Sequence, residues 1–268
     1  MAEQVHTGIW QEVAEPGNRF ATQRAYCRGY DVYGDMLGRA RWVDMLWLLF
    51  RPELPSAEEA GLLEQIAVAL ANPGPRDPAV HAAMCSGLGG SPAAASLMAA
   101  LSVGAGRLGG GQDVLAAMQR WALLPPLGTG LSASDWLRFW REATTKPGAN
   151  WPQADHLAGF DPNGRGPHGV VAQALAGLAA VSCTPRLTWL VEHQADLESA
   201  TGVSLTMSGV AAAAFCDLGL TPVQGEMLFL LLRLPGAAAH ALEQQESNYQ
   251  AFPFFKLELL DDPARGGA

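Results

Sequence analysis

Charge is scarce in this sequence. Of 268 residues, 16% are Asp, Glu, Lys or Arg, while 49% are apolar. A disordered chain needs the opposite balance, so this one folds around a core. Basic residues are also outnumbered, 17 against 26 acidic ones, for a formal net charge of −9. That excludes a protein held on DNA or RNA by surplus positive charge, and no nucleic-acid partner is expected. With few charges to cover the surface, apolar area is left for a subunit interface. Long apolar runs are missing as well. The most apolar stretch, 227–232, is cut by Arg233 and Pro235, far short of the roughly 20 residues a membrane span needs. The first ten residues, MAEQVHTGIW, have no basic head leading into an apolar run, so no signal peptide and a cytoplasmic location are expected. The four cysteines (Cys27, Cys85, Cys183, Cys216) contain no CxxC pair, which fits reduced thiols and no zinc knuckle.

What is present is helical. The length admits one large or two small domains. Residues 35–50 place Met36, Ala40, Val43, Leu46, Trp47 and Phe50 on one helical face. Ser56 and Glu59 stand at capping-box spacing before a second helix, which the run 72–75 ends. Further helices are expected over 81–88, 91–103, 132–143, 170–181, 185–200 and 208–218. Thr221, Pro222 and Gln224 open the last one, which should stop at Arg233 and resume over 236–245. No run of alternating β-branched residues signals a strand. The fold class is therefore all-α. Helix-free stretches fall at 104–111, 125–130 and 147–167, and the last is long enough to suit a ligand loop.

Generic motifs return nothing. Gly109-Gly110-Gly111 lacks the GxxxxGK[ST] frame of a phosphate loop. There is no HExxH, no GxSxG and no pair of histidines at i, i+4, so neither a metal nor a serine-nucleophile elbow is expected.

An ordered set of short fragments is more specific. Arg28-Gly29-Tyr30-Asp31 leads to Leu37-Gly38 and a Trp- and Leu-rich helix ending at Pro52-Glu53-Leu54-Pro55. Arg107-Leu108-Gly109-Gly110 follows, with Asp113. Then come Ser208-Gly209, Phe215, Asp217-Leu218-Gly219, and Arg233 with Gly236, Ala239-His240 and Glu243-Gln244. From about Tyr26 to Phe254 the chain resembles the citrate synthase superfamily, nearest its short citryl-CoA lyase branch, which also forms the C-terminal module of ATP-citrate lyase. The resemblance implies a citrate-synthase-like two-domain helical fold. A large dimerising domain would comprise 1–110 and 208–268, with a small domain, 111–207, inserted between them. It implies a homodimer with no tightly bound cofactor, using a CoA thioester as cosubstrate and making or breaking a carbon–carbon bond to a 2-oxo acid. That chemistry needs an aspartate to move a proton, histidines on the developing oxyanion and arginines on the carboxylates.

At those positions the chain departs from the family. Where the family carries Asp-His-Gly-Pro, this sequence has Asn72-Pro73-Gly74-Pro75, and Pro73 offers no donor. Leu108 replaces a histidine before the two glycines, as in the lyase branch. Ser208, in Thr206-Met207-Ser208-Gly209, stands where the catalytic aspartate belongs. The family's Gly-Phe-Gly-His-Arg segment is shortened to Gly159-Phe160-Asp161-Pro162-Asn163-Gly164-Arg165. Gln250 replaces a distal arginine, and residues 112–207 hold six Lys or Arg against eight Asp or Glu, a poor surface for CoA phosphates. No catalytic residue is assigned, and Asp161 and His168 are the candidate recruits. Arg233, Arg165 and His81 are the candidate carboxylate ligands, while His240 reads as structural. Arg107 and Asp113 are candidates to pair across their turn. Two readings stay open. One is a pseudoenzyme, regulator or partner of an active paralogue with at most a di- or tricarboxylate-binding cleft. The other is an active lyase or acyltransferase with rearranged residues.

Overall fold

The computed structural model describes residues 7–125, 127, 130–142, 156–161, 163 and 169–247. It opens with strands, which the sequence pattern does not announce. Strand β1 (Trp10–Glu15) pairs antiparallel with β2 (Asn18–Cys27), and β2 with the short β3 (Tyr30–Asp31). Pro16 and Gly17 make the hairpin turn, with Gly17 at φ +82°, a conformation glycine adopts without steric cost. Alternation is absent because most of the hairpin is exposed on both faces. Only Ala25 and Cys27, at the end of β2, are buried.

Ten helices follow among the described residues: α1 (Trp42–Phe50), α2 (Ala57–Leu70), α3 (Pro78–Leu88), α4 (Ala93–Gly104), α5 (Gly111–Trp121), α6 (Ala133–Glu142), α7 (Gly169–Ala179), α8 (Pro185–Thr201), α9 (Met207–Asp217) and α10 (Pro222–Glu246). Two expected boundaries move. The run from residue 35 is not one helix, because a π-helical turn over Val32–Met36 precedes Gly38, at φ +84°, and α1 begins only at Trp42. The break expected at Pro235 is absent, and α10 passes through it. Proline removes one backbone donor from the ladder, but past Gly236 come Ala237, Ala238 and Ala239, which are strong helix formers. The start of α10 is a reciprocal cap: Thr221 N–H donates to Gln224 Oε1 at 2.9 Å and Gln224 N–H to Thr221 Oγ1 at 3.3 Å. Ser56 and Glu59 cap α2 in the same way, at 3.1 and 2.8 Å.

The chain forms two compact units. The first comprises residues 1–72 and 104–233, the second 73–103 and 234–268. In the first, α5 and α9 pack closely, and Val114, Ala117, Met118 and residues 210–215 lie at the centre of a large apolar cluster. Four indoles of this cluster, Trp121, Trp136, Trp140 and Trp189, contact one another with ring centroids 3.9 to 6.0 Å apart. The Asp217-Leu218-Gly219 fragment is structural. Asp217 accepts from the Arg186 and Leu187 backbone N–H groups at 3.1 Å and from Arg186 Nη1 at 3.2 Å, satisfying donors at the start of α8 that have no partner inside the helix. In the second unit, Val80, Ala83, Ala100, Ala237 and Ala241 form a separate small core. Gly87 lets the α3 backbone lie directly against the Ala241 carbonyl, where any Cβ would intrude.

Candidate functional site

The most concentrated polar chemistry in the first unit gathers around Asp113. Helix α5 starts just after the glycine turn, and its first turn aims Asp113 inward, so that the carboxylate is fully buried. A buried carboxylate must be ringed by donors, and three reach this one. Ser208 Oγ donates to Oδ2 at 2.6 Å, the Gly159 backbone N–H donates to Oδ1 at 3.1 Å, and His156 Nε2 lies 2.9 Å from Oδ1. Thr206, the N-cap of α9, lies beside them. Its Oγ1 is 2.7 Å from Ser208 Oγ and 2.8 Å from the Gly159 carbonyl, which also accepts the Thr206 N–H at 3.0 Å. The Ser208 proton serves Asp113, so the Thr206 hydroxyl proton is shared between Ser208 and Gly159.

The loop segment carrying His156 and Gly159 is pinned on three sides. Asp161 N–H donates to Ser204 O at 2.8 Å, Phe160 pairs with Leu205 as an isolated β-bridge, and Trp140 Nε1 donates to Ala158 O at 3.0 Å. Gly159 sits at φ +85° directly against Gly209. A side chain at either glycine would push this segment off α9 and pull the Gly159 N–H away from Asp113.

Arg120 lies on the same face of α5, seven residues on. It is 9% exposed, and its guanidinium carbon lies 5.9 Å from the Trp140 ring centroid. Burial pulls its pKa below the ordinary arginine value, and the Asp113 charge opposes that shift.

The residues singled out in the sequence are distributed differently. Ser208 is in the Asp113 network. Asp113 is engaged there by His156, Ser208 and Gly159, and among the described residues no ion pair joins it to Arg107. Asp161 accepts the Asn163 N–H at 2.8 Å, closing a local turn. Leu108 is exposed at the glycine turn, and Arg233 Nη1 reaches the Gly109 carbonyl of that turn at 3.5 Å while its guanidinium carbon sits 4.7 Å from the Phe229 ring centroid. Pro73 and His81 belong to the second unit, where Pro73 is exposed and the His81 backbone N–H donates to the Asp77 carbonyl at the start of α3. His240 Nδ1, in the same unit, lies 3.2 Å from Glu243 Oε2 one turn on. Arg165 and His168 lie outside the described residues. The reading of the sequence did not single out His156 or Arg120. The signal for Arg120 was available: residues 113, 117 and 120 fall on one helical face, so a charged residue was heading for the core. Among the described residues no cluster of His, Cys, Asp and Glu is placed to hold a metal.

Sequence comparison finds no protein-family model and no curated protein that matches. Structural comparison does. Citryl-CoA lyase from Hydrogenobacter thermophilus is similar with a TM-score of 0.70 at 18% identity, over 97% of both chains. ATP citrate lyase from Methanothrix soehngenii, solved with citrate and coenzyme A, gives 0.70 at 16% identity over 97% of this chain, which spans 43% of that one. Citrate synthase from Thermoplasma acidophilum gives 0.53 at 14% identity over 83% of this chain and 60% of that one. In helix order and packing, the chain has the fold of the citrate synthase superfamily, as citryl-CoA lyase has it.

Proposed function

We propose that this is a citrate synthase/citryl-CoA lyase-like protein without ordinary family catalysis, retaining a cleft that binds a di- or tricarboxylate and acting as a regulator or as the partner of an active paralogue. The observation that supports this most directly is Ser208. It occupies the position of the family's catalytic aspartate, and its hydroxyl is buried and committed to Asp113 at 2.6 Å. A hydroxyl held there supplies no base at neutral pH, and removing one acid/base group lowers rates by about two to four orders of magnitude. Pro73 removes a donor from a further family position, whereas Leu108 is shared with the lyase branch and bears only on the branch. Arg233, next to the glycine turn, and His81 are the retained candidates for contact with a carboxylate, with Arg165 a third by sequence.

The test is turnover. Purified protein given citryl-CoA, or acetyl-CoA with oxaloacetate, should release no more free CoA than a heat-killed control. Turnover abolished by Arg233→Ala would overturn the reading.

One observation favours the alternative, an active lyase or acyltransferase on an acyl-CoA. Asp113 and His156 form a carboxylate–imidazole pair with the histidine side chain 16% exposed, the kind of group that moves protons. That reading requires a CoA thioester as cosubstrate, so calorimetry showing no heat with CoA or acyl-CoAs at millimolar concentration would eliminate it. Under either reading the chain works as a homodimer in the cytoplasm, with its large domain contributed by 1–110 and 208–268 and its small domain by 111–207.

A further inference from the structure

Helices α6 and α8 border a cavity of about 730 Å³ in the first unit, and none of its lining residues belongs to the Asp113 network. Helix α6 gives it one face. Ala133, Leu137 and Arg141 stand four residues apart, and Ser134 and Arg138 run beside them. Helix α8 adds Asp196 and Ala200, again four apart. Residues at that spacing are neighbours on a helix surface, so one ridge from each helix lines the groove. The apolar lining is Ala133, Leu137 and Ala200, with Leu137 buried. A groove of this volume with a few polar groups has the make-up of a small-ligand site.

The charge in the groove is of both signs and divided between the helices: Arg138 and Arg141 from α6, Asp196 from α8. Ser132, which also lines it, is spent on the start of α6. Its Oγ accepts the Asp135 N–H at 3.2 Å and donates to Asp135 Oδ2 at 2.7 Å. Asp135 in turn lies 3.5 Å from Arg138 Nη2, and both side chains are exposed. An exposed pair of that length contributes little, so Arg138 turns to a ligand at small cost.

We propose that this groove binds a short zwitterionic peptide of two or three residues with apolar side chains, its ammonium toward Asp196 and its carboxylate toward Arg138 and Arg141. A ligand of negative charge alone, such as a tricarboxylate or a phosphate, meets Asp196, and one of positive charge alone meets the two arginines. A wholly apolar ligand crowds water away from all three charges and returns nothing to them. Both signs are satisfied together only by a molecule that carries an apolar body between an ammonium and a carboxylate. Size narrows the class. The axes of neighbouring packed helices lie about 8–10 Å apart, and the backbone of a dipeptide or tripeptide spans about 7–11 Å. A single amino acid holds its two charges too close together to reach both walls. The site is separate from the di- or tricarboxylate cleft and does not depend on that reading.

The experiment is isothermal titration of the full chain with the dipeptide Leu-Leu, its N-acetyl form, its C-terminal amide, Gly-Gly and free leucine. It is repeated with Asp196→Asn, Arg138→Gln, Ala200→Trp and, as a control on the exposed hairpin, Arg19→Ala. Far-UV circular dichroism checks the folding of each variant. Leu-Leu should bind the native protein, and blocking either end should weaken it about fivefold, the upper worth of an exposed ion pair. Gly-Gly, without an apolar body, and leucine, without the span, should bind more weakly still. Asp196→Asn should abolish the preference over the acetylated peptide, and Arg138→Gln should reduce the preference over the amide. Ala200→Trp should fill the groove and remove binding, and Arg19→Ala should change nothing. No heat with Leu-Leu at millimolar concentration overturns the proposal, as do blocked peptides that bind as well as the free one. Undiminished binding in folded Ala200→Trp overturns it too, and should that variant fail to fold, Asp196→Asn decides. Saturating citrate or CoA should leave Leu-Leu binding unchanged. Competition by either puts the ligands in one site and overturns the proposal, while citrate that fails to bind at all bears on the di- or tricarboxylate reading alone.

Discussion

At the scale of single residues, Ser208 holds a buried charge in place. Its hydroxyl closes the donor shell of a fully buried carboxylate, so truncation would leave Asp113 Oδ2 short of a donor. Ser208→Ala is expected to cost about 1–3 kcal/mol, read as a lower urea midpoint at unchanged slope. The resemblance drawn from the sequence implies a serine in place of an aspartate there. It does not show what the serine touches, because Asp113 lies 95 positions away and only packing of α5 against α9 brings the two together. His156 was invisible for the same reason, since nothing in its immediate neighbours marks its pairing with a residue 43 positions away. The cysteines give a second residue-scale prediction. Burial pushes the Cys216 thiol up to about 12 and raises Cys27 as well, whereas Cys85 and Cys183 are exposed. Only thiolates react quickly. Iodoacetamide at neutral pH should therefore label Cys85 and Cys183 in the native protein and reach Cys27 and Cys216 only after denaturation, as peptide mass mapping would show.

At the scale of elements, sequence legibility follows burial. Helices with one face in a core were readable, because burying one stripe imposes a period near 3.6. Helix α2 is the clearest: Leu62, Leu63, Ile66 and Leu70 are buried, and its start is written in Ser56 and Glu59. Removing the serine oxygen should remove one of the two reciprocal bonds, so Ser56→Ala is expected to cost about 1 kcal/mol, measured as a lower thermal midpoint. The β1–β2 hairpin was not readable, because strands exposed on both faces have no reason to alternate. Its turn residues, Pro16 and Gly17, were the only available sign. The expected stop at Pro235 failed for a different reason. Proline tells the reader about one lost backbone bond, and the continuation of α10 is decided by the residues beyond it.

At the scale of the whole molecule, the order of short fragments carried more than any one of them. No sequence family model matches the chain, yet the fragments stand in the order of the superfamily whose fold the chain has. What they preserve is scaffold: the glycine turn before α5, the Asp217 cap on α8 and the α9 start. Val223, Met227 and Leu231, on the α10 segment of the first unit, are exposed apolar side chains, and a subunit interface is what the low charge content leads one to expect. Native mass spectrometry at micromolar concentration should accordingly find a dimer, and a monomer would contradict that expectation.

The distribution of tryptophan has an optical consequence. All eight fall in residues 1–72 and 104–233, and the second unit has none. Four of them lie within energy-transfer distance of one another, so their emission is collective and any disturbance of one indole dims or shifts the whole signal. Intrinsic fluorescence is thus a sensitive gauge of the first unit and blind to the second. A denaturation curve followed by emission alone will look cooperative even if the second unit has already come apart, and only helix-sensitive dichroism recorded alongside it can reveal the missing step.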